Sequence, residues 1–144
     1  MKKIAVINGV NLDRLGKREP EIYGSETLDD IIESLKKYAA SIGCEILDFQ
    51  SNHEGDIIDH IEDYTDMGVE YCIINPGAFT HTSVALRDAI AGSTMKFVEV
   101  HISNIYKRED FRHESLTAAK CVAVVSGMGS YGYTAALDFI ASIE

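Results

Sequence analysis

Apolar residues along this chain fall in short blocks that switch between two spacings, and the switching predicts an architecture before any single residue is weighed. Lys3 to Asn8 is a β-branched run halted at Asn8-Gly9, the pattern of a buried strand ended by a turn. After a loop of roughly 16 residues, Ser25 to Asp30 offers capping residues and early acids ahead of Ile31, Ile32, Leu35 and Tyr38, apolar at helical intervals up to Gly43. The first helix is therefore expected over about residues 27–42. Cys44 to Phe49 reads as a second strand and Gln50 to Gly55 as a polar turn. Ile57, Ile58, Ile61 and Tyr64 form the stripe of a second helix that Gly68 closes. Val69 to Ile74 is a third strand with Asn75-Pro76-Gly77 at its carboxyl end, and Thr80 to Ser83 supplies an N-cap for a helix from Val84 to Ile90. Lys96 to His101 is a fourth strand, Ile102 to His113 a long polar loop, and Lys120 to Ser126 a fifth strand. Gly127, Gly129 and Gly132 precede a last helix from about Tyr133 to Ile143.

Strict alternation of strand and helix implies an α/β fold with a five-stranded parallel sheet covered by helices on both faces, because each right-handed crossover must bury its apolar stripe. The flavodoxin-like strand order is the default for such a chain. With 144 residues and 46% hydrophobic content, one domain spanning 1–144 with a sizeable core is expected. No internal repeat or low-complexity segment interrupts it. In open α/β sheets ligands bind at the carboxyl ends of the strands. Those ends carry Asn8 and Asn11, Gln50 to His53, Asn75 to His81, and His101 to Ser103, whereas the amino ends carry little beyond Lys, Glu and Gly. The chemistry is expected on one rim.

Composition narrows the function classes. A formal charge of −10 and a pI near 4.9 argue against a nucleic-acid partner, although a locally cationic site could still take an anion. Cys44, Cys72 and Cys121 sit in apolar strand-like runs without metal spacing, so buried reduced thiols are expected, which suits the cytoplasm. The apolar run at the start is too short for a signal peptide, and no run of about 18 apolar residues occurs, so a soluble protein without a membrane partner is expected. There is no phosphate-loop GxxxxGK[ST], no GxGxxG after the first strand, no HExxH and no G-x-S-x-G elbow. Asn8-Gly-Val-Asn11 after the first strand is neither the Ser/Thr-rich loop of an FMN-binding flavodoxin nor the acid cluster of a phospho-receiver.

The long first loop holds Arg18-Glu-Pro-Glu-Ile-Tyr-Gly24. A tyrosine phenol ordinarily titrates near ~10, and a guanidinium that cannot lose its charge favours the phenolate when it lies close by. Arg18 beside Tyr23 would make a base. Taken alone, the same two residues are a solvated charge and an aromatic packed on a helix end. His101 has an acid, Glu99, two residues earlier on the same strand face, while a lone strand-end histidine is more often structural. His81 could simply satisfy backbone donors at a helix start. Asp88, about two turns beyond it and roughly 10 Å along the axis, has the spacing of a solvated helix charge. His53 reads as structural and His60 as an exposed helix residue; His113 has no assigned part. A rim with a Tyr–Arg pair, neutral amides, two histidines and no metal set suits proton abstraction next to a carbonyl by side chains alone.

Ordered blocks covering nearly the whole chain carry a resemblance. They are Asn8-Gly-Val-Asn-Leu12, Leu15-Gly-Lys-Arg-Glu-Pro-Glu-Ile-Tyr-Gly24, Phe49-Gln-Ser-Asn-His-Glu-Gly55, Ile74-Asn-Pro-Gly-Ala-Phe-Thr-His-Thr-Ser-Val-Ala-Leu-Arg-Asp88, Val98-Glu-Val-His-Ile-Ser-Asn-Ile105 and Arg108-Glu-Asp-Phe-Arg-His113. In these the chain resembles the type II 3-dehydroquinate dehydratases. The resemblance implies a lyase of the shikimate pathway, on the way to chorismate and the aromatic amino acids. Such an enzyme converts 3-dehydroquinate to 3-dehydroshikimate by anti elimination of water through an enolate, with no cofactor or metal. It also implies flavodoxin-like subunits in trimers that assemble to a dodecamer. By the same resemblance Tyr23 removes the C2 proton with Arg18 lowering its pKa, and Asn11 holds the water that stabilises the enolate oxygen. His101 protonates the departing C1 hydroxyl, and Glu99 orients that imidazole. Asn75 with the backbone of Ile102 and Ser103 takes the ring carboxylate; Arg112, His81 and Asp88 take the ring hydroxyls, Asp88 in a neighbouring subunit's site. The pattern departs from the family at Val10, at Asp13 and Arg14 in the lid loop, and at Glu114. A reading of a different class is a flavodoxin-like binding or regulatory module without catalysis.

Overall fold

The computed structural model describes residues 1–143; the side chain of Tyr23 lies outside the described residues. Within it, β1 (Lys2–Asn8), β2 (Cys44–Gln50), β3 (Tyr71–Asn75), β4 (Lys96–His101) and β5 (Ala123–Ser126) are all parallel and stand in the order β2-β1-β3-β4-β5. That is the flavodoxin-like order, with its switch point between β1 and β3.

Alternation along the strands divides the core into two layers. Ile4 and Val6 of β1, Tyr71 and Ile73 of β3, and Val98 and Val100 of β4 pack against Ile31, Leu35 and Ala39 of α2 (Leu28–Ser41) and Tyr133, Leu137 and Ile140 of α5 (Tyr131–Ser142). The intervening Ala5, Ile7, Cys72, Ile74 and Phe97 pack against Ile57 and Ile61 of α3 (Glu54–Asp66) and Leu86 and Ile90 of α4 (Val84–Gly92). Both predicted N-caps are present. Thr27 and Asp30 make a reciprocal capping box, and the Ser83 hydroxyl accepts the Leu86 N–H at 2.9 Å while donating to Glu54 at the head of α3.

Several boundaries differ from the expectation for local reasons. The Val69 N–H turns back to the Tyr64 carbonyl, so Val69 closes the preceding helix and β3 starts at Tyr71. Ahead of β5, Ala118–Lys120 is a 3-10 turn closed on the carbonyls of Thr117 and Ala118. The strand therefore begins at Ala123, and Cys121 precedes it rather than lying in it. α5 starts two residues early, at Tyr131. The long first loop carries a 3-10 turn, Leu12–Arg14, and a single helical turn, α1 (Pro20–Tyr23). Cys44 and Cys72 are buried, Cys121 is half-buried, and all three are free thiols. Among the described residues no helix is long and apolar enough to cross a membrane.

At the switch point two turns touch backbone to backbone. The Gly9 N–H donates to the Asn75 carbonyl at 2.8 Å, and a Cβ on Gly9 would sit 2.2 Å from the Pro76 oxygen. Gly77, at φ +62°, would bring its own Cβ to 2.7 Å from the Val10 carbonyl. Only glycine allows both approaches.

Candidate active site

Over the carboxyl ends of β1, β3 and β4 lies a cleft of about 650 Å³, partly open to solvent. Its floor comes from strand ends and its walls from the two long loops.

On the floor at the switch point, Asn8 and Asn75 are register partners on β1 and β3, and both point toward α5. There Tyr133, fully buried, donates its hydroxyl to Asn8 Oδ1 at 2.5 Å and accepts from Asn75 Nδ2 at 3.0 Å. The Gly77 N–H donates to Asn75 Oδ1 at 3.1 Å. These bonds fix which way round the Asn75 amide lies, leaving one Nδ2 hydrogen to donate upward. Burial pushes the Tyr133 phenol well above its usual range, so it stays a neutral donor.

On the floor at β4, Glu99 and His101 share the face that Phe97 presents to α3 and α4. Glu99 is wholly buried, and its Oε2 accepts His101 Nε2–H at 2.8 Å. That oxygen also accepts the Ser115 hydroxyl at 2.9 Å, while Oε1 accepts the Thr117 hydroxyl. Burial by itself would raise the carboxyl pKa. The donations from His101, Thr117 and Ser115 outweigh it and hold Glu99 below the usual carboxylate range. The bond through Nε2 leaves His101 Nδ1 for the cleft, which His101 lines.

His81, at the end of the 3-10 turn Gly77–His81, stands beside it with ring centroids 6.5 Å apart. Its Nδ1 bonds to the Glu114 carbonyl at 2.7 Å. Burial lowers its pKa, partly offset by that bond, so the ring is neutral at pH 7 with Nε2 as the acceptor.

The walls supply cations and an amide. Asn11 takes a left-handed conformation, φ 68°, with its N–H held by the Asn52 side chain at 2.8 Å. Arg18, beside Glu19 at 3.9 Å, lines the cleft from the same loop, and Arg14 lines it as well. Opposite them, Ile102 and Ser103 follow β4 in a bend pinned by Ser126, whose hydroxyl donates to the Ser103 carbonyl at 3.2 Å and accepts the Ile105 N–H. Arg108 and Arg112 complete that wall, Arg112 steadied by Glu109 at 3.2 Å. Four guanidiniums facing one cleft, in a chain of net charge −10, make the locally cationic site that anion binding requires.

The cleft thus gathers Asn11, Arg18, Asn75, His81, His101, Ile102, Ser103 and Arg112, with Glu99 directly behind His101. Asp88 is exposed on α4 and is not part of this wall or floor. The side chain of Tyr23 falls outside the described residues. Sequence reasoning gave no part to Tyr133, Ser115, Thr117 or Arg108. For Tyr133 a signal existed, since a tyrosine on the buried face of an apolar helix needs a partner for its hydroxyl.

The arrangement offers an imidazole hydrogen-bonded to an ionised carboxylate, neutral donors on the floor and cationic walls around a space fit for a small anion. The sequence profile described as Dehydroquinase class II matches residues 2–141. A catabolic 3-dehydroquinase of Debaryomyces hansenii is 51% identical over 96% of this chain and 96% of its own length. A 3-dehydroquinate dehydratase of Ralstonia nicotianae is 51% identical, covering 96% of this chain and 89% of its own. The crystal structure of a type II dehydroquinase from Butyrivibrio crossotus superposes with a TM-score of 0.95 at 47% identity, covering 97% of each chain. With a profile match across almost its full length and relatives at half identity over 96% of it, this chain belongs to the class II dehydroquinases.

Proposed function

We propose that this protein is a hydro-lyase that dehydrates 3-dehydroquinate to 3-dehydroshikimate by anti elimination through an enolate. The observation that carries the reading is the buried Glu99–His101 pair opening onto a cleft lined by guanidiniums and neutral amides. In this reading the Tyr23 phenolate, favoured by Arg18, takes the C2 proton, and the electron pair moves onto the C3 oxygen as an enolate. A water held by Asn11 stabilises that oxygen. When the enolate collapses, the C1–O bond breaks and the hydroxyl leaves as water with a proton from His101 Nδ1. Glu99 balances the ring's charge while it carries that proton. Passing one proton from the Tyr23 phenol back to the His101 imidazole resets the site. The substrate carboxylate is held by the remaining Asn75 Nδ2 hydrogen with the backbone of Ile102 and Ser103, and the ring hydroxyls by His81 and Arg112.

Relatives at half identity carry names with and without "catabolic", so the dehydration is common ground, and a biosynthetic setting is not favoured over a degradative one. The free thiols suit a reducing cytoplasm. Asp88, exposed on α4, is assigned to a neighbouring copy's cleft in a trimer, itself a unit of a dodecamer. An Asp88→Ala variant should then raise the Michaelis constant and loosen assembly; unchanged values for both would reject the assignment.

Incubating the purified protein with 3-dehydroquinate should produce the enone absorbance of 3-dehydroshikimate. Tyr23→Phe and His101→Ala should each lower turnover by about 10²- to 10⁴-fold without unfolding the protein. A folded wild-type protein that yields no enone would overturn the reading.

A further inference from the structure

The segment between the last 3-10 turn of the second long loop and β5 does more than connect them. Its backbone is pinned from three sides. The Leu116 N–H donates to the Thr80 carbonyl at 2.8 Å, the Leu116 carbonyl accepts from Arg87 at 2.7 Å, and the Glu114 carbonyl holds the His81 ring. Held this way, the segment points two hydroxyls at one carboxylate. Ser115 Oγ accepts the N–H groups of Thr117 at 3.3 Å and Ala118 at 3.0 Å, so its single hydrogen is left for Glu99 Oε2. The Thr117 hydroxyl, on a fully buried residue, donates to the other oxygen, Oε1. A carboxylate with no solvent contact costs several kcal/mol to keep charged unless its lone pairs are met. His101 alone meets only one of them.

From this geometry we infer that Thr117 and Ser115 are positioning residues for the dehydration: their hydroxyls hold Glu99 as a carboxylate aimed at His101 Nε2, and so keep Nδ1 directed into the cleft. The inference rests on the function proposed above and extends it to two residues that do not line the cleft. The titratable and charged groups around the pair are His81 on the Gly77–His81 turn, Arg112 on the Asp110–Arg112 turn, Cys121 ahead of β5, and Arg18 and Arg108 along the cleft walls. Glu99 takes its hydrogen bonds from His101 and the two hydroxyls, which carry the work of holding its charge.

The test uses Thr117→Val, which keeps shape but removes the hydroxyl, with Ser115→Ala as a second deletion and Thr117→Ser as the conservative control. A donor lost from a carboxylate raises its pKa. The midpoint of the Glu99 carboxyl carbon signal, followed by NMR in labelled protein, should therefore move upward by about one pH unit in Thr117→Val. It should move in the same direction in Ser115→Ala and stay in place in Thr117→Ser. The acid limb of the kcat profile should move with it, kcat at neutral pH should fall on the order of tenfold, and KM should stay within about twofold. Should Thr117→Val fail to fold, Ser115→Ala decides by the same signal. An unmoved Glu99 midpoint in a folded deletion variant overturns the inference. If the wild-type protein shows no dehydration, the proposed function fails, while the Glu99 titration still decides this point by itself.

Discussion

The two halves of the cleft floor solve the burial of polar groups in opposite ways. Under β1 and β3, neutral donors and acceptors run in a line from the Gly77 N–H through Asn75 and Tyr133 to the Asn8 side-chain oxygen. Under β4, Glu99 carries a full charge with no solvent contact and depends on three donors drawn from its own strand and from a loop. A neutral network fixes orientation and is indifferent to pH; a buried charge fixes orientation and also prepares a proton donor, at the cost of sensitivity to acid. In the proposed reaction, binding falls to one half and proton transfer to the other.

The sharpest way to break that division is Glu99→Gln. The amide keeps the shape but cannot balance a charged His101, so kcat should drop by about 10²-fold with KM little changed. Acid unfolding of the same variant carries a second readout. The folded-state pKa of Glu99 lies below its ordinary value of 4.5, so its stabilisation is complete above that pH and is lost as the pH falls from 4.5 toward the folded value. Wild-type stability should therefore fall more steeply than that of Glu99→Gln below pH 4.5; parallel curves would show that the charge contributes nothing. Tyr133→Phe probes the neutral half with a smaller effect. It leaves Asn8 Oδ1 and one Asn75 hydrogen without partners, for a loss of about 1–3 kcal/mol in chemical denaturation. KM should rise by roughly threefold to tenfold as Asn75 loosens, and the pH profile should keep its shape. A moved pH profile in Tyr133→Phe would erase the distinction between the halves.

Local spacing carried most of the scaffold. The strand-and-helix alternation led to five parallel strands and the 2-1-3-4-5 order, and Thr27 and Ser83 were recognisable as caps because capping is an interaction between residues three apart. The cleft members found from sequence stand at strand ends or carry the family blocks, as Asn75 and His101 do. What escaped depends on distance along the chain. Tyr133 reads locally as one more residue of an apolar helix, while its partners lie 58 and 125 positions away. Thr117 and Ser115 read as loop hydroxyls, and only the folded chain brings them to an acid 18 and 16 residues earlier. The mistaken start of β5 has the same origin, since Lys120 to Val122 has strand-like composition but is bent by the turn that serves Glu99.

The backbone contact between Gly9 and Pro76 also bears on inhibitor chemistry. Main chain resting on main chain beneath the cleft leaves nothing there to rotate aside, so a bulkier ring cannot sink deeper by displacing a side chain. Room for added substituents lies sideways and outward, past Arg14, an exposed and flexible side chain on the cleft wall. Compounds elaborated in that direction should retain affinity, whereas those thickened toward the sheet should lose it.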